Sequence, residues 1–241
     1  MTFEIWATVQ PTNNAYTRLW EFGDFQSGGV IGSSGGQNYW SMMPNTANNG
    51  GVGRMELSSG GNIDVNTGNF LGQTNVNIVG VFDPNPSRQF LGLYVNGVLV
   101  GSASTAGRTL SSISDVYSLL GRSLCSGDAA LLGSISEFRI YNGELNKFQI
   151  AATHQNGPDN TNMAVGTFTS FALNPGSLPI AAGAHRQIQA QMNFSIVTNV
   201  VVNGDSTLNF NSSDPSVAIM EHAGLLYALE PSNTTNSGVD G

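Results

Sequence analysis

The sequence is poor in cysteine, in charge and in long apolar segments. Among its 241 residues there is one cysteine, Cys125, which excludes a disulfide within the chain. Cys125 also has no partner at zinc-ligand spacing, which excludes a cysteine-based zinc site. No segment approaches the roughly 18 consecutive apolar residues that span a membrane. We therefore expect no disulfide framework and no insertion into a membrane.

Positive charge is especially scarce. Lysine and arginine together number 8 against 16 aspartate and glutamate residues, which gives a formal net charge of -8 and a sequence pI of about 4.6. The basic residues are scattered singly along the chain and form no basic stripe. Because the net negative charge repels phosphate backbones, we expect no nucleic acid partner.

What the chain has in quantity is glycine and short apolar segments. It contains 30 glycines and 40% hydrophobic residues, whereas charged residues make up 10%. In the first segment, Phe3, Ile5, Ala7 and Val9 alternate with more polar neighbours, which is typical of a strand with one buried face. Similar strand candidates lie at residues 18–22, 29–32, 39–43, 53–57, 75–82 and 90–95. Because they are separated mostly by Gly, Asn, Ser or Pro, they predict an antiparallel all-β fold.

Two local signals are stronger than this general pattern. Asn96-Gly97 stands between two apolar segments and accepts the positive φ angles of a type I′ turn, so it predicts a β-hairpin. Asn146 with Gln149 resembles a capping box, and apolar residues follow it at helical spacing. These residues predict one helix over residues 146–155, which Gly157-Pro158 ends.

After the helix the pattern returns to short strands separated by turn residues. We place the domain boundary between Pro158 and Val165. The sequence therefore predicts two domains, residues 1–160 and residues 165–241.

Three segments near the end of the first domain carry a family resemblance. They are Leu-Leu-Gly-Arg-Ser at 119–123, Ser-Gly-Asp at 126–128 and Leu-Gly-Ser-Ile-Ser-Glu-Phe-Arg-Ile-Tyr-Asn-Gly at 132–143. Together with the hairpin at 93–97, they resemble the C-terminal signature of laminin-G-like domains. The resemblance covers residues 3–158 and implies an antiparallel jelly-roll sandwich of the concanavalin A type.

Within this signature the alternation of residues predicts which side chains face the core. We expect Ile135, Phe138 and Ile140 to be buried. Glu137 and Arg139 alternate with them and are expected to form an exposed ion pair.

The resemblance also implies a structural calcium site, of which this sequence holds an incomplete version. The candidate ligands are Asp24 and Asp128, since calcium prefers carboxylate oxygens. Laminin-G-like domains usually have an aspartate where this chain has Ser136, and a further strand before the first one here. We therefore expect either no cofactor or a weakly bound, partly hydrated calcium ion.

The second domain resembles a bacterial immunoglobulin-like repeat. The resemblance rests on Leu173-Asn174-Pro175 and on the segments at 178–183, 210–218 and 224–228, of which Ser-Ser-Asp-Pro-Ser-Val-Ala is the most specific string. Such modules end on a further strand, whereas residues 231–238 here are polar and unpatterned. We therefore expect an incomplete immunoglobulin-like sandwich within a longer multidomain protein.

Hydrolase and metal motifs are weak in this chain. Residues 32–36 satisfy the G-x-S-x-G pattern, but a strand follows where a nucleophile elbow needs a helix. His154, His185 and His222 are far apart in sequence and suggest neither a catalytic triad nor a metal site.

Glycosidases of this sandwich class carry paired carboxylates, commonly as Glu-x-Asp-x-x-Glu on one strand, and that pattern is missing here. Glu21 and Asp24 are the nearest pair, and Glu56 could face either from another strand. These three residues are the catalytic candidates if the chain is a hydrolase or lyase that degrades polysaccharides.

Aromatic side chains offer the other way in which a sandwich handles sugars, because their faces stack on pyranose rings. Tyr39 and Trp40 are adjacent in a predicted strand, so one of them must face away from the core. They are the preferred ligand contacts, with Trp20 and Arg54 as further candidates. Trp20 fits equally well as a core residue.

The leading hypothesis is a non-catalytic glycan-binding or adhesive region of a secreted or cell-surface bacterial multidomain protein. Its expected partners are a polysaccharide or glycoconjugate and the neighbouring domains of a longer chain, and its expected location is extracellular or at the cell surface. The alternatives are the polysaccharide-degrading enzyme and a spacer that positions a distant enzyme.

Overall fold

A computed structural model gives the structure of the chain and describes residues 1–24, 38–47, 51–113, 115–160, 165–177, 179–203, 208–221 and 224–229. The chain divides into two compact units, Met1–Met163 and Ala164–Gly241. Four features of the sequence lie outside the described residues: the strand candidate at 29–32, the motif at 32–36, His222 and the polar segment 231–238.

Among its described residues, the first unit has ten strands, numbered here in chain order. They are β1 (Thr2–Val9), β2 (Trp20–Gly23), β3 (Tyr39–Met43), β4 (Gly53–Ser58), β5 (Asn62–Thr67), β6 (Val76–Asp83), β7 (Phe90–Val95), β8 (Val98–Ser104), β9 (Tyr117–Leu120) and β10 (Gly133–Tyr141). They form two five-stranded antiparallel sheets. The first sheet has the order β10-β1-β6-β7-β8, and the second sheet has the order β5-β4-β3-β2-β9. This architecture confirms the predicted all-β sandwich.

The core lies between the inner faces of these two sheets. Phe3 of the first sheet stacks on Trp40 of the second, with ring centroids 4.4 Å apart, and meets Trp20 edge to face at 6.1 Å. Gly80 in β6 makes room for this packing, because a Cβ there would lie 2.8 Å from Met55 Sδ and 2.9 Å from Trp40 Cζ2. The alternation in β1 follows from this arrangement, since every second side chain enters the core.

The predicted hairpin and helix are both present. Asn96 and Gly97 have φ angles of 49° and 81°, as a type I′ turn requires. The helix α1 (Lys147–Asn156) begins after Asn146, which forms the capping box with Gln149. Its Ile150 packs against the first sheet on the face opposite the core. Among the described residues, no helix is long and apolar enough to cross a membrane.

The structure corrects two expectations about the signature strand β10. Arg139 is 3% exposed rather than part of an exposed pair, because the chain around α1 covers it. Its guanidinium lies 4.5 Å from the Trp6 ring and donates to the carbonyl of Gly157 at 3.2 Å. Ile140, expected in the core, is 50% exposed because β10 is the edge strand of its sheet.

The described part of the second unit has six further strands. They are β11 (Phe168–Asn174), β12 (His185–Gln187), β13 (Gln189–Phe194), β14 (Val200–Val201), β15 (Ala218–Met220) and β16 (Leu225–Ala228). Two three-stranded sheets result, with the orders β11-β13-β14 and β12-β16-β15. Its immunoglobulin-like character stays a prediction.

Candidate functional site

A row of polar residues crosses the outer face of the second sheet. In the register of β2 to β5, Glu21 lies opposite Ser41, Ser41 opposite Glu56, and Glu56 opposite Asp64. Glu21, Ser41 and Glu56 are 1%, 0% and 5% exposed, so the centre of the row is buried and Asp64 forms its open end. The outer face of this sheet is therefore polar along this row, whereas its inner face is apolar.

Tyr39 and Arg54 contact the residues at the exposed end of this row. The Tyr39 hydroxyl donates to Glu56 Oε1. Arg54 Nη1 lies 3.6 Å from Glu56 Oε2 and 3.2 Å from Asp64 Oδ2, and Arg54 Nε donates to Asn66 Oδ1 at 3.1 Å. Burial, followed by the hydrogen bond to Glu56, raises the pKa of Tyr39, so the phenol keeps its proton and acts as a donor. These contacts hold Arg54 and Glu56 in fixed positions.

At the other end of the row, Arg18 connects the sheet to a distant loop. Arg18 Nε donates to Glu21 Oε1 at 3.2 Å, and Arg18 Nη1 lies 3.5 Å from Asp128 Oδ2. The backbone N–H of Leu124 donates to Glu21 Oε2 at 2.5 Å. Glu21 therefore ties β2 to the loop before β10, and both of its carboxylate oxygens are occupied.

Beside this loop lies an open cleft of about 550 Å³. It is lined by Asn14, Ala15, Tyr16, Thr46, Ala47, Gly127, Asp128 and Ala129. These residues come from three loops, which follow β1, β3 and β9 at the same end of the sandwich. We call this surface the loop-end cleft.

Two of the predicted ligand contacts are wrong. Trp20 and Trp40 are 0% and 1% exposed and lie in the core, where neither ring can meet a ligand. The other member of the adjacent pair, Tyr39, faces outward, as the two-residue period requires of one of the two. Arg54 also lies on the outer face, so these two of the four predicted contacts share one surface.

The three catalytic candidates lie at two places and have different partners, and their catalytic role stays a prediction. Glu21 and Glu56 share the outer face, but β3 separates their strands, so their Cα atoms are roughly 10 Å apart at two strand spacings. Asp24 lies beyond the end of β2 and accepts hydrogen bonds from the backbone N–H and the side-chain amide of Asn38, each at 2.9 Å. Its partners are therefore different from those of Glu21.

The two calcium candidates also have separate partners. Asp24 binds Asn38, whereas Asp128 accepts a hydrogen bond from Ser123 Oγ at 2.8 Å and lies beside Arg18. Within the part of the chain that the structure describes, no three His, Cys, Asp or Glu side chains converge as metal ligands. The structural calcium ion stays a prediction.

Sequence reasoning missed Arg18, Ser41, Asp64 and Tyr16 as parts of these surfaces. Ser41 lies two residues after Tyr39, so the strand period could have placed both on one face. Asp64 was missed because β5 was not predicted. Arg18 and Tyr16 depend on contacts between loops, for which the sequence carries no local signal.

The described strands and their two sheets define a jelly-roll sandwich with a polar row on the outer face of its second sheet. The model of the Laminin_G_3 family, described as the concanavalin A-like lectin/glucanases superfamily, matches residues 1–151. The chain belongs to this family, which confirms the resemblance predicted for its first domain. No curated protein sequence matches the chain.

Two solved structures align with this chain. The Ruminococcus gnavus IT-sialidase CBM40 bound to α2,3-sialyllactose aligns with a TM-score of 0.48 and 19% identity, over 62% of this chain and 79% of that chain. The NanB sialidase from Streptococcus pneumoniae in complex with 2-[(3-chlorobenzyl)ammonio]ethanesulfonate aligns with a TM-score of 0.50 and 17% identity, over 79% of this chain. The alignment covers 29% of that sialidase chain. At 17% identity the likeness to the NanB sialidase concerns the fold alone.

Proposed function

We propose that the first unit is a non-catalytic glycan-binding module whose ligand lies on the outer side of the second sheet. The family description covers two classes of protein, lectins and glucanases. The observation that favours the lectin class is the burial and pairing of Glu21 and Glu56, the two acids on that face.

A glucanase needs two carboxyl groups that flank the scissile bond and reach the substrate. Retaining enzymes hold them about 5 to 5.5 Å apart, and inverting enzymes leave about 6.5 to 9.5 Å for a water molecule. Glu21 and Glu56 are almost entirely buried, and each has an arginine partner, Arg18 and Arg54 respectively. This burial and pairing support a structural role for both carboxylates, in which they hold neighbouring strands and loops together, over direct contact with a substrate.

The open part of the same face suits hydroxyl-rich ligands. Asn62, Asp64 and Asn66 alternate along the edge strand β5 and are exposed. Their amide and carboxylate groups offer hydrogen-bond donors and acceptors at a two-residue spacing of roughly 7 Å. An extended glycan has hydroxyl groups along its length and can bind such an edge without entering a closed pocket.

We further propose that the module works outside the cell, as part of a longer chain. The resemblance to secreted laminin-G-like and immunoglobulin-like modules supports this location. The small number of basic residues also fits a module that does not bind the phosphate groups of nucleic acids or anionic lipids.

Affinity electrophoresis tests the proposal directly. The purified chain is run through native gels that contain glucans, galactans, mannans or other polysaccharides, with bovine serum albumin as the unretarded control. We expect retardation in at least one gel, and we expect neither the wild type nor the Glu56→Gln variant to release sugar. The absence of retardation on every polysaccharide would remove the binding function, and sugar release that disappears in Glu56→Gln would establish the hydrolase instead.

A further inference from the structure

Tyr16 has a backbone conformation that aromatic residues seldom adopt. Its φ angle is 58°, in the left-handed region where a Cβ crowds the following carbonyl oxygen. The residue is 48% exposed, so burial of the ring does not compensate for this strain. Strained residues of this kind persist where the surroundings hold them, and they cluster at ligand sites.

The surroundings of Tyr16 hold it at both backbone polar groups. Its N–H donates to the carbonyl of Asn45 at 3.0 Å, and its carbonyl accepts a hydrogen bond from Arg18 Nη1. Arg18 is 7% exposed and is fixed in turn by Glu21 and Asp128. The ring is therefore presented to solvent by a backbone that has little freedom to relax.

A second set of buried contacts fixes the same loop. Asn13 Nδ2 donates to Thr17 Oγ1 at 2.6 Å and to Asn45 Oδ1 at 3.3 Å, and Asn13 Oδ1 accepts from the N–H of Leu132 at 2.8 Å. Asn13, Thr17 and Asn45 are 5%, 0% and 0% exposed. Three loops are thus connected through one asparagine, which keeps the loop-end cleft in shape before any ligand arrives. Preorganisation of this kind lowers the entropy cost of binding.

The lining of the loop-end cleft fits a sugar ring. Four of the lining residues are small, namely Ala15, Ala47, Gly127 and Ala129, and Tyr16 is the aromatic residue of the lining. Polar groups of Asn14, Thr46 and Asp128 line the rest. Ser123 and Arg18 both contact Asp128 Oδ2, so the carboxylate has a fixed orientation. An aromatic face beside fixed polar groups is the arrangement that recognises a pyranose, whose C–H face is apolar and whose rim carries hydroxyls.

We infer that the loop-end cleft binds one pyranose ring of the glycan, stacked on Tyr16, with Asp128 accepting hydrogen bonds from its hydroxyl groups. The inference rests on the proposed glycan-binding function and locates it at the loop end of the second sheet. In this arrangement Tyr16 replaces Trp20 and Trp40 as the aromatic platform, and Arg18 is a positioning residue.

The experiment is titration calorimetry with a glycan that retards the wild type in electrophoresis, together with thermal melts. We expect Tyr16→Gly to raise Kd at least tenfold while the Tm stays the same or rises, because glycine accepts the positive φ angle. Tyr16→Phe keeps the ring and should bind within about threefold of the wild type. Phe168→Ser, which removes an aromatic ring that is 55% exposed in the second unit, is the control and should bind like the wild type.

The outcomes separate this inference from the proposed function. Wild-type affinity in Tyr16→Gly would overturn the loop-end cleft and leave the glycan-binding function standing. A wild type that binds no glycan would overturn both. If Tyr16→Gly loses both affinity and stability, Tyr16→Asn decides, because asparagine also tolerates positive φ. A stable Tyr16→Asn that binds like the wild type overturns the inference, and one with a tenfold higher Kd supports it.

Discussion

Arg18 and Arg139 are both buried, and each lies beside buried or half-buried acids. Arg18 contacts Glu21 and Asp128. Arg139 Nη1 lies 3.6 Å from Glu4 Oε2. Removing a charge from water is costly, so such residues are tolerated only where partners and hydrogen bonds surround them. A sequence pattern assigns lone arginines to the surface, and here two of the few basic residues instead organise the two outer faces.

Glu4 carries the pH dependence that follows from this burial. Its carboxylate accepts hydrogen bonds from Tyr141 Oη at 2.7 Å, Thr153 Oγ1 at 2.8 Å and Asn77 Nδ2 at 3.2 Å. Burial nevertheless outweighs these partners and the nearby Arg139, and it raises the pKa of Glu4 above its ordinary value. Protonated Glu4 is therefore favoured by folding.

We predict that the wild type loses stability relative to a Glu4→Gln variant as the pH rises. A carboxyl whose pKa is raised on folding contributes its full stability below the unfolded pKa, about 4.3, and loses it as the pH passes the folded value. Thermal melts of both proteins between pH 4 and pH 7 measure the effect. The wild-type Tm minus the variant Tm should fall over this range, and a rise would contradict the raised pKa of Glu4.

Gly97 permits a second prediction for a single residue. A valine in its place would be strained at φ 81°, and the added Cβ would lie 3.2 Å from the Cα of Ala151 in α1. We expect Gly97→Val to destabilise the first unit by about 1 to 3 kcal/mol. Gly68→Val is the matched control, because a Cβ at Gly68 has no neighbour within 4 Å and its φ angle is ordinary. Urea denaturation with equal midpoints for the two variants would contradict the hairpin geometry.

For single residues, the sequence predicts that either Tyr39 or Trp40 faces outward. It does not determine which of the two residues does so. The choice depends on the register of β3 with β2 and β4, which places Trp40 against Phe3. Register is a long-range property, because it is set by which face finds a partner sheet. The sequence therefore predicted that one of the two residues faces outward, and it included two core residues, Trp20 and Trp40, among the candidate ligand contacts.

Among the elements, the strongly patterned ones could be predicted and the polar ones could not. β3 spans the predicted residues 39–43, and α1 follows its predicted cap. β5 was missed because most of its residues are polar. Only two apolar residues, Ile63 and Val65, alternate with Asn62, Asp64 and Asn66. An edge strand needs only one apolar face and tolerates such residues, since they discourage pairing with other chains.

The capping box of α1 is expected to matter for stability. Asn146 Oδ1 accepts from the N–H groups of Phe148 and Gln149, each at 3.0 Å. Asn146→Ala removes this acceptor and should lower the free energy of unfolding by about 1 kcal/mol. Asn146→Ser keeps a side-chain acceptor and should lower it by only about a few tenths of a kcal/mol. Denaturation midpoints measure both, and equal losses in the two variants would show that the cap contributes nothing.

For the whole molecule, the family and its sandwich followed from the signature at 119–143 and the hairpin at 93–97. These segments combine turn residues and alternating strands, which are local features. The loop-end cleft could not be predicted from the sequence. It forms where the loops after β1, β3 and β9 come together, and no local sequence pattern indicates contacts between distant loops. The second unit shows two small sheets, and its family stays open to test.

Calcium should have a small effect on the intact chain. Arg18 lies beside Asp128, so a cation there would compete with an existing guanidinium. A ligand that binds only the native state stabilises it by RT ln(1 + [L]/Kd). We expect millimolar calcium to raise the Tm by less than about 8 °C, the shift produced by a few kcal/mol in a domain of this size. A larger rise in a melt against an EDTA control would show an intact site.

The charge of the molecule leads to a preference among glycans. Arg18 and Arg54 on the outer side of the second sheet are already paired with acids, and the net charge is -8. We therefore predict that neutral glycans bind several-fold more tightly than α2,3-sialyllactose, with a difference that shrinks as salt screens the repulsion. A glycan array at two salt concentrations measures this. Preference for the sialylated ligand, lost in Arg54→Gln, would contradict it.

The central claim is that the chain binds a glycan without cleaving it. The most direct measurement is mass spectrometry of a bound oligosaccharide after prolonged incubation with a stoichiometric amount of the protein, beside a Glu56→Gln variant. The account predicts that both proteins return the oligosaccharide at its original mass, because Glu21 and Glu56 are buried and paired. Shortened products with the wild type and intact ligand with Glu56→Gln would contradict the account.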